Sequence, residues 1–520
     1  MLKYFNTAGP CNEKKHYIIP VLDRNKDIMS LIYREQYFVI HAARQTGKTT
    51  FIKTLVNKIN KDNNYYALYC SLEAVQVFVE PETGIKQILS VLKKSFRYSK
   101  IPNKEKFGIN TEGETVSTLI NVALSDFCME IDKPLIIFFD EIDGLENGTL
   151  VTFLRQLRDG YVNRPETPFV HSIALVGMRD IRDYKSKIKE GRETLGSKSP
   201  FNIIEDSFTL ENFTNKEIKN LYKQHTDETG QIHGEQAIDF IHKQTDGQPW
   251  LVNAIAKECI EKILKNNFTK PLSKDIAKQA IQNIILRRDT HIDSLLDKLK
   301  EKRVQDIIEP IVITTEKNDN INYSSDDLQY CKDLGLVKES KNKVLQPANP
   351  IYAEVIIREL SYNSQSKLQN QIKNIWIDKN NKIDMKGLLK AFQIFWRENS
   401  DIWIEKYQYK EAAPHLILQA FLQSIINSGG EILREYAYAR KRIDLCVIFE
   451  QNKYPVELKI HYGQKTIPDG LEQLSEYMDG FGEKIGWLII FDRRKTPTWD
   501  EKIYWKTQKY NNKIINIAGC

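Results

Sequence analysis

The sequence YFVIHAARQTGKTT, residues 37–50, decides the fold of the first half of this chain. Residues 37–41 are a short apolar run that predicts a buried parallel strand. The polar loop that follows offers consecutive backbone N–H groups and opens onto a helix whose positive end faces the same anion. We expect this loop to hold a polyphosphate, with Lys48 on the β and γ oxygens and the Thr49 hydroxyl on Mg²⁺. The residues expected to line it are Arg44, Gln45, Thr46, Gly47, Lys48, Thr49 and Thr50.

A second apolar run, LIIFFDE at residues 135–141, ends in two acids. Because the carboxyl ends of parallel strands meet at one edge of a sheet, we expect Asp140 to lie beside the phosphate loop. Asp140 is predicted to hold Mg²⁺ through water, and Glu141 to orient or deprotonate the attacking water. The alternative for the two acids is that they only cap the end of the strand. The alternative for the loop is an accidental GKTT, since Ala42 replaces the first glycine of GxxxxGK[ST]. The two motifs in this order are more specific than either alone.

Length and composition set the broad class. The 520 residues predict two to four domains, and a net charge of +6 limits any nucleic-acid surface to local patches. The seven cysteines form no CxxC pair and the nine histidines no HExxH, which argues against structural zinc and favours a reducing cytoplasm. No apolar run reaches the length of a membrane span, so we expect no membrane partner.

Strands and helices alternate up to residue 210, which predicts a doubly wound α/β domain with five parallel strands. Its further strands are expected at residues 65–71, 171–177 and 207–210. Arg155 and Arg158 offer an arginine finger or simply a solvated helix face. Residues 178–180 follow the fourth strand and resemble, by position, the segment that senses the γ-phosphate in AAA-type ATPases. Residues 16–20 resemble the segment that packs on adenine in the same proteins, or else form a surface arm.

Helices are predicted at 214–229, 234–245 and 249–263. The turn between the last two, residues 245–250, is either a rigid Gly-Pro hinge or a lid that touches the nucleotide through Pro249.

A second group of acids lies in the C-terminal part, where a helix is predicted at 412–427 and strands at 432–449 and 453–460. If a hairpin turns at residues 450–451, paired residues have numbers that sum to 901, which places Asp444 opposite Glu457. Lys459 falls on the same face. An Asp, a Glu and a Lys at this spacing predict a Mg²⁺ site that hydrolyses a phosphodiester, or else a solvated salt-bridge face. A basic rim that suits a polyanion is predicted from Arg434, Arg440, Lys441, Arg442, Arg493, Arg494 and Lys495.

Two families resemble parts of this sequence. Residues 4 to about 360 resemble AAA-like, STAND-related P-loop ATPases through FNTAGPC (5–11), HA-x-RQTGKTT (41–50), the DE pair at 140–141, VGMRD (176–180) and TDGQPWLVN (245–253). This resemblance implies ATP binding, a helical lid and homo-oligomer formation driven by nucleotide.

Residues 390–510 are similar to the PD-(D/E)XK nuclease superfamily at Asp444, Glu457 and Lys459. Gln473 and Tyr477 fit its QxxxY helix, and Glu411 is a weaker match to its helix glutamate. The resemblance implies a restriction-endonuclease-like α/β fold with Asp444 and Glu457 on metal, Lys459 catalytic and Gln473 orienting.

The expected domains are an ATPase core (1–212), a helical lid (213–285), a winged-helix-like module (286–361), a linker (362–389) and the nuclease-like domain (390–520). The preferred hypothesis is an ATP- and Mg²⁺-dependent ATPase that regulates a nuclease acting on DNA, in defence or mobile-element control. The alternative is a non-enzymatic signalling switch whose C-terminal domain is a docking module. A helicase-like motor is a weaker third hypothesis, because no further helicase motif follows residue 141.

Overall fold

The computed structural model describes most of the chain, in two compact units. The described residues are 2–20, 27–178, 203–287, 290–313, 324–340, 343–356, 359, 382–406, 418, 421–422, 430–438, 441–449, 452–492, 494 and 496–520. One unit comprises residues 1–295, 323–338 and 348–351, and the other comprises residues 296–322, 339–347 and 352–520. The domain boundaries predicted above stay a prediction.

The first unit is built on a parallel sheet of five strands, as predicted. Its strands lie side by side in the order β2-β3-β4-β1-β5 and all neighbours are parallel. Their bounds are Tyr37–His41 (β1), Tyr66–Ser71 (β2), Leu135–Asp140 (β3), Ser172–Gly177 (β4) and Ile204–Thr209 (β5). The last strand starts three residues before the predicted 207–210, because it lies at the sheet edge, where the exposed acid Asp206 is tolerated.

Helices cover both faces of this sheet. Along β3, Ile137 and Phe139 belong to one apolar core, while Ile136 and Phe138 belong to the other. A strand buried on both faces explains the unbroken apolar run in the sequence. The helices before and between the strands are Asp27–Tyr33 (α1), Lys48–Asp62 (α2), Pro81–Arg97 (α3), Leu119–Met129 (α4) and Asn147–Val162 (α5).

Three further helices form the predicted lid region. They are Asn215–Thr229 (α6), Glu235–Thr245 (α7) and Pro249–Lys257 (α8). The helix predicted over 249–263 is wrong in its second half, since residues Glu258–Ile263 form a π-helical turn. This wider turn carries the buried Glu258 carboxylate, which accepts hydrogen bonds from Asn283 (3.0 Å) and Arg287 (2.9 Å).

The chain then runs through short elements. Their bounds are Lys274–Arg287 (α9), Thr290–Lys298 (α10), Lys302–Ile313 (α11), Ser325–Asp333 (α12), Val337–Glu339 (β6), Leu345–Pro347 (β7) and Met385–Lys406 (α13). The helix predicted at 412–427 falls almost wholly outside the described residues. No helix in the described part of the chain is long and apolar enough to cross a membrane.

The second unit contains a mixed sheet of six strands. The strands of this sheet are Gly430–Tyr438 (β8), Lys441–Phe449 (β9), Asn452–Ile460 (β10), Ile485–Phe491 (β11), Trp505–Tyr510 (β12) and Lys513–Gly519 (β13). The helices between them are Thr466–Phe481 (α14) and Trp499–Lys502 (α15). The spatial order is β12-β13-β11-β10-β9-β8. Strands β8, β9 and β10 form an antiparallel meander, and α14 then crosses over to β11, which is parallel to β10.

The single strand predicted over residues 432–449 is wrong, because two antiparallel strands occupy this stretch and Tyr438 pairs with Lys441. A run of that length exceeds ordinary strands, and its division into two antiparallel strands lets both halves share one sheet. The predicted register of the next hairpin is confirmed, since Lys453 pairs with Ile448 and Val456 with Leu445.

Candidate functional site: a phosphate loop and a carboxylate pair

The loop between β1 and α2 has the backbone shape that an anion site needs. Gln45 and Gly47 both take left-handed conformations, with φ of 58° and 94°. Gly47 caps α2, so the first N–H groups of that helix open toward the loop. The Thr46 hydroxyl donates to the carbonyl of Ala43 (2.8 Å), which closes the loop on itself.

Lys48 lies inside this loop. Its Nζ donates to the carbonyl oxygens of Ala42 (2.6 Å) and Ala43 (2.9 Å), and the residue is buried. Burial lowers the pKa of Lys48, whereas the nearby carboxylates of Asp143, Glu141 and Asp140 raise it. The loop carbonyls therefore hold the ammonium in the place where it can meet phosphate oxygens.

Asp140, at the end of β3, has a complete set of partners. One carboxylate oxygen accepts hydrogen bonds from the Thr49 hydroxyl (3.1 Å) and the Tyr69 hydroxyl (2.9 Å). The other accepts from the backbone N–H of Glu141 (3.0 Å). Thr49 and Asp140 thus meet as predicted, and this hydroxyl–carboxylate pair fits Mg²⁺ held through water. The sequence reading missed Tyr69, although the pairing of Ser71 with Asp140 places it on the adjacent strand.

Glu141 occupies a strained position. Its φ is 62°, in the left-handed region that non-glycine residues rarely adopt. The pKa of Glu141 is raised by burial and by the negative charges of Asp143 and Asp140. A carboxylate with a raised pKa beside a polyphosphate site suits the predicted role with the attacking water.

The N-terminal arm, the segment that precedes α1, contacts α2, the helix that begins at the phosphate loop, and also α8. The N–H of Cys11 donates to the Thr50 hydroxyl (3.0 Å), and the Trp250 indole donates to the carbonyl of Thr7 (2.9 Å). The Thr50 side chain, predicted to line the phosphate site, therefore holds the arm instead. Tyr17 contacts the lid, because its hydroxyl donates to Glu228 on α6 (2.6 Å). The arm segment beside the phosphate loop is thus 7–11, whereas the adenine contact was predicted at 16–20.

The turn before α8 reaches the phosphate loop. Gln248 accepts a hydrogen bond from the N–H of Leu251 (2.6 Å), and its Nε2 lies 3.4 Å from the carbonyl of Gln45. Gly247 is required there, because a Cβ would lie 1.8 Å from the carbonyl oxygen of Phe213. Pro249, predicted to touch nucleotide, is buried at the start of α8, and Gln248 is the residue that reaches the loop.

The other residues predicted for this site either have different surroundings from those expected or lie outside the described residues. Arg44 donates to the Ser294 hydroxyl on α10 (2.9 Å). Arg155 is exposed and Arg158 half-buried on α5. The predicted sensor segment begins at Met178, whose N–H donates to Asp143 (3.1 Å), while Arg179 and Asp180 lie outside the described residues.

Asp444 and Glu457 come together in the second unit. They occupy the position that follows the pair Leu445–Val456, and both are buried. Asp444 accepts a hydrogen bond from the N–H of Leu458 (2.8 Å). Burial, and then the charge of Asp444, raise the pKa of Glu457 to about 8, while Lys459 acts in the opposite direction. The Oε2 atom of Glu457 is buried without a hydrogen-bond partner among the described residues.

Lys459 joins this pair to α14. Its Nζ lies 3.1 Å from Oε1 of Glu457 and donates to the Gln473 side-chain oxygen (2.7 Å). The Gln473 amide in turn donates to the Tyr477 hydroxyl (3.3 Å). The structure therefore brings together the four residues predicted as a site, and Tyr477, predicted with Gln473 on the same helix, lies behind them.

Parts of the predicted C-terminal site lie outside the described residues. These are Glu411, Arg440, Arg493 and Lys495, together with the side chains of Arg434, Lys441 and Arg442. Arg494, also predicted in the basic rim, pairs with Asp492 (2.6 Å). Among the described residues, no group of three or more His, Cys, Asp or Glu side chains has metal-binding geometry. The carboxylate pair therefore offers two such ligands.

Comparison with known proteins gives a family and several solved folds. A model of the AAA-like domain family matches residues 10–356. The Walker-type ATPase PABY2304 of Pyrococcus abyssi is 14% identical, with a TM-score of 0.47, over 68% of this chain and 99% of that chain. The ORC1 protein of Aeropyrum pernix in complex with DNA is 12% identical, with a TM-score of 0.35, over 70% and 96%. RuvB of Thermotoga maritima, a Holliday junction branch migration motor, is 13% identical, with a TM-score of 0.34, over 65% and 93%. No curated protein matches the chain.

Proposed function

This chain belongs to the AAA-like domain family, and from that premise we propose that it binds and hydrolyses ATP and thereby controls a metal-dependent nuclease in its C-terminal part. In the first unit, Lys48 and the loop N–H groups bind the phosphates, and Thr49 and Asp140 hold Mg²⁺. Glu141 orients the attacking water, since it follows Asp140 at the edge of the site.

The nuclease proposal depends on one observation: Glu457 is buried beside Asp444, and among the described residues its Oε2 has no hydrogen-bond partner of good geometry. Two carboxylates buried side by side repel each other, and an unpaired buried oxygen costs free energy. A divalent cation held by Asp444 and Glu457 removes both penalties. Such a cation supplies Lewis-acid activation of a phosphodiester and its attacking water.

The remaining residues of the site have roles that follow from their contacts. Lys459 is held between Glu457 and Gln473 by hydrogen bonds and charge, so its ammonium has a fixed position beside the acids. A fixed positive charge there stabilises the negative charge that develops on a phosphodiester. Gln473 orients Lys459, and Tyr477 orients Gln473. We assign DNA as the substrate class, with ATP in the first unit as the regulator.

The test is a cleavage assay with the full-length protein. Plasmid, linear duplex and single-stranded DNA are incubated with Mg²⁺ or Mn²⁺, with and without ATP, for wild type, Lys459→Ala and Lys48→Ala. We expect metal-dependent cleavage that Lys459→Ala abolishes and that loses its response to ATP in Lys48→Ala. Lys506→Ala is the matched control, because Lys506 is exposed on β12 and contributes nothing to the site.

A signalling switch is the second candidate function. It is favoured by the contacts that α10 and the turn before α8 make with the phosphate loop, Arg44 to Ser294 and Gln248 to Gln45. Nucleotide binding at that loop would change both contacts, which is a route for reporting nucleotide state. Intact DNA in every lane, together with ATP binding that needs Lys48, would replace the nuclease proposal by this one.

A further inference from the structure

Asp143 contacts the end of a neighbouring strand and has no role in the ATP site described so far. It lies in the short turn Ile142–Gly144 that follows β3 and Glu141. Its Oδ1 accepts a hydrogen bond from the N–H of Met178 (3.1 Å), directly after β4. A Cβ at position 177 would lie 2.5 Å from the same Oδ1, so only glycine lets the carboxylate approach this strand end.

The end of β4 is in turn bonded to the phosphate loop. The carbonyl of Gly177 accepts a hydrogen bond from the N–H of Ala42 (3.3 Å). The carbonyl of Ala42 accepts from Nζ of Lys48 (2.6 Å). A continuous path of hydrogen bonds and peptide units therefore leads from Lys48 through Ala42, Gly177 and Met178 to Asp143.

The turn that carries Asp143 is itself fixed by packing. A Cβ at position 144 would lie 2.3 Å from Cγ of Gln76, so the turn is pressed against the segment that follows β2. The backbone of Glu141 enters this turn in its strained left-handed conformation. Asp143 also lies within electrostatic range of Lys48, since its charge raises the pKa of Lys48 more than the charges of Glu141 and Asp140 do.

We propose that Asp143 is a positioning residue for ATP hydrolysis, whose carboxylate fixes the end of β4 and, through it, the phosphate loop relative to Glu141. This inference rests on the proposed ATPase function. Catalysis needs the attacking water and the γ-phosphate in one geometry, and a displacement of about 1 Å can cost roughly 100-fold in rate. One hydrogen bond that joins the two motif-bearing strand ends is well placed to set that geometry.

The first test compares two substitutions of Asp143 by steady-state ATPase kinetics. Asp143→Ala removes the acceptor, and we expect kcat to fall at least about tenfold while KM for ATP changes by less than roughly threefold. Asp143→Asn keeps a side-chain oxygen for Met178, and we expect it to recover most of kcat. Rescue by the amide distinguishes loss of a hydrogen bond from loss of charge or of packing.

The second test uses the glycine that faces Asp143. Gly177→Ala places a methyl group against Oδ1 and displaces the carboxylate, so we expect it to lower kcat about as much as Asp143→Ala does. In the double variant Asp143→Ala/Gly177→Ala the obstructing oxygen is gone. The double variant should therefore match Asp143→Ala alone, and this non-additivity is specific to the proposed contact.

Each outcome has one meaning. An unchanged kcat in Asp143→Ala, or additive losses in the double variant, overturns the positioning role while the ATPase function stands, provided that Glu141→Gln abolishes turnover. If wild type shows no ATP turnover, or only turnover that Glu141→Gln does not abolish, both the positioning role and the ATPase function are overturned. Asp227→Ala on the exposed side of α6 is the matched control, and thermal unfolding of each variant excludes loss of the fold as the cause.

Discussion

The two acid sites of this chain are built from similar residues but differ in how completely the protein satisfies them. In the first unit, Asp140 is buried and accepts three hydrogen bonds, from Thr49, Tyr69 and the backbone of Glu141. In the second unit, Glu457 is equally buried but keeps one oxygen without a partner among the described residues, and its pKa is raised to about 8.

This difference indicates what each site requires. Three donors to one carboxylate fix its position, so the first site is organised before Mg²⁺ and nucleotide arrive. A buried carboxylate that faces a second acid is destabilised as an anion, so the second site favours either a proton on Glu457 or a bound cation. The first site should therefore depend on nucleotide for its metal, whereas the second should bind metal by itself.

The largest expected effect is on ATP affinity, which depends on the first site and not on the second. Lys48→Ala removes the ammonium that the loop carbonyls hold for the phosphates, and we expect ATP affinity to fall at least about 100-fold, or ~3 kcal/mol. Isothermal titration calorimetry with ATP measures this. Retained tight ATP binding would contradict the phosphate-loop assignment. Stabilisation of the protein by metal in the absence of nucleotide should be the same in this variant as in wild type.

Most of the framework of these sites follows from sequence patterns. The apolar runs at 37–41 and 135–141 predicted the strands and the meeting of Lys48, Thr49 and Asp140, because parallel strands end at one edge. A single register placed Asp444 beside Glu457, since side chains in a hairpin alternate with period two.

The residues that sequence patterns missed depend on contacts between distant segments. Asp143 gains its role from Met178 and Gly177, and Gln248 from Gln45, and no local periodicity encodes such pairs. The division of residues 432–449 into two strands was missed because the alternation of apolar and polar residues continues through both of them. The π-helical turn at residues 258–263 follows from tertiary contacts of Glu258, which helix propensity does not contain.

The next prediction tests the satisfied carboxylate. Asp140→Asn replaces one accepting oxygen by an amide that donates, so at least one of its three donors loses its partner. We expect the free energy of unfolding of the first unit to fall by about 2 kcal/mol without any ligand. Urea unfolding followed by circular dichroism measures it. Unchanged stability would show that Asp140 is not held as its hydrogen bonds indicate.

The prediction for the second carboxylate has the opposite sign. The folded-state pKa of Glu457 lies above its unfolded value, so wild type loses stability as pH rises from about 4.5 to about 8, whereas Glu457→Gln does not. Without metal, the variant should therefore gain stability relative to wild type as pH rises across this range. Urea unfolding at pH 5 and pH 8.5 gives the comparison. A variant that is less stable than wild type at pH 8.5 would contradict an uncompensated buried carboxylate.

The most direct test of the account counts bound Mn²⁺ by electron paramagnetic resonance in wild type, Lys48→Ala and Glu457→Gln, each with and without ATP. We predict one Mn²⁺ in wild type without nucleotide, which Glu457→Gln loses and Lys48→Ala keeps. With ATP, we expect two protein-bound Mn²⁺ in wild type, one in Glu457→Gln at the first site, and one in Lys48→Ala at the second site. If wild type without nucleotide binds no Mn²⁺, or if Glu457→Gln binds it as wild type does, the claim of a separate metal site in the C-terminal unit is wrong.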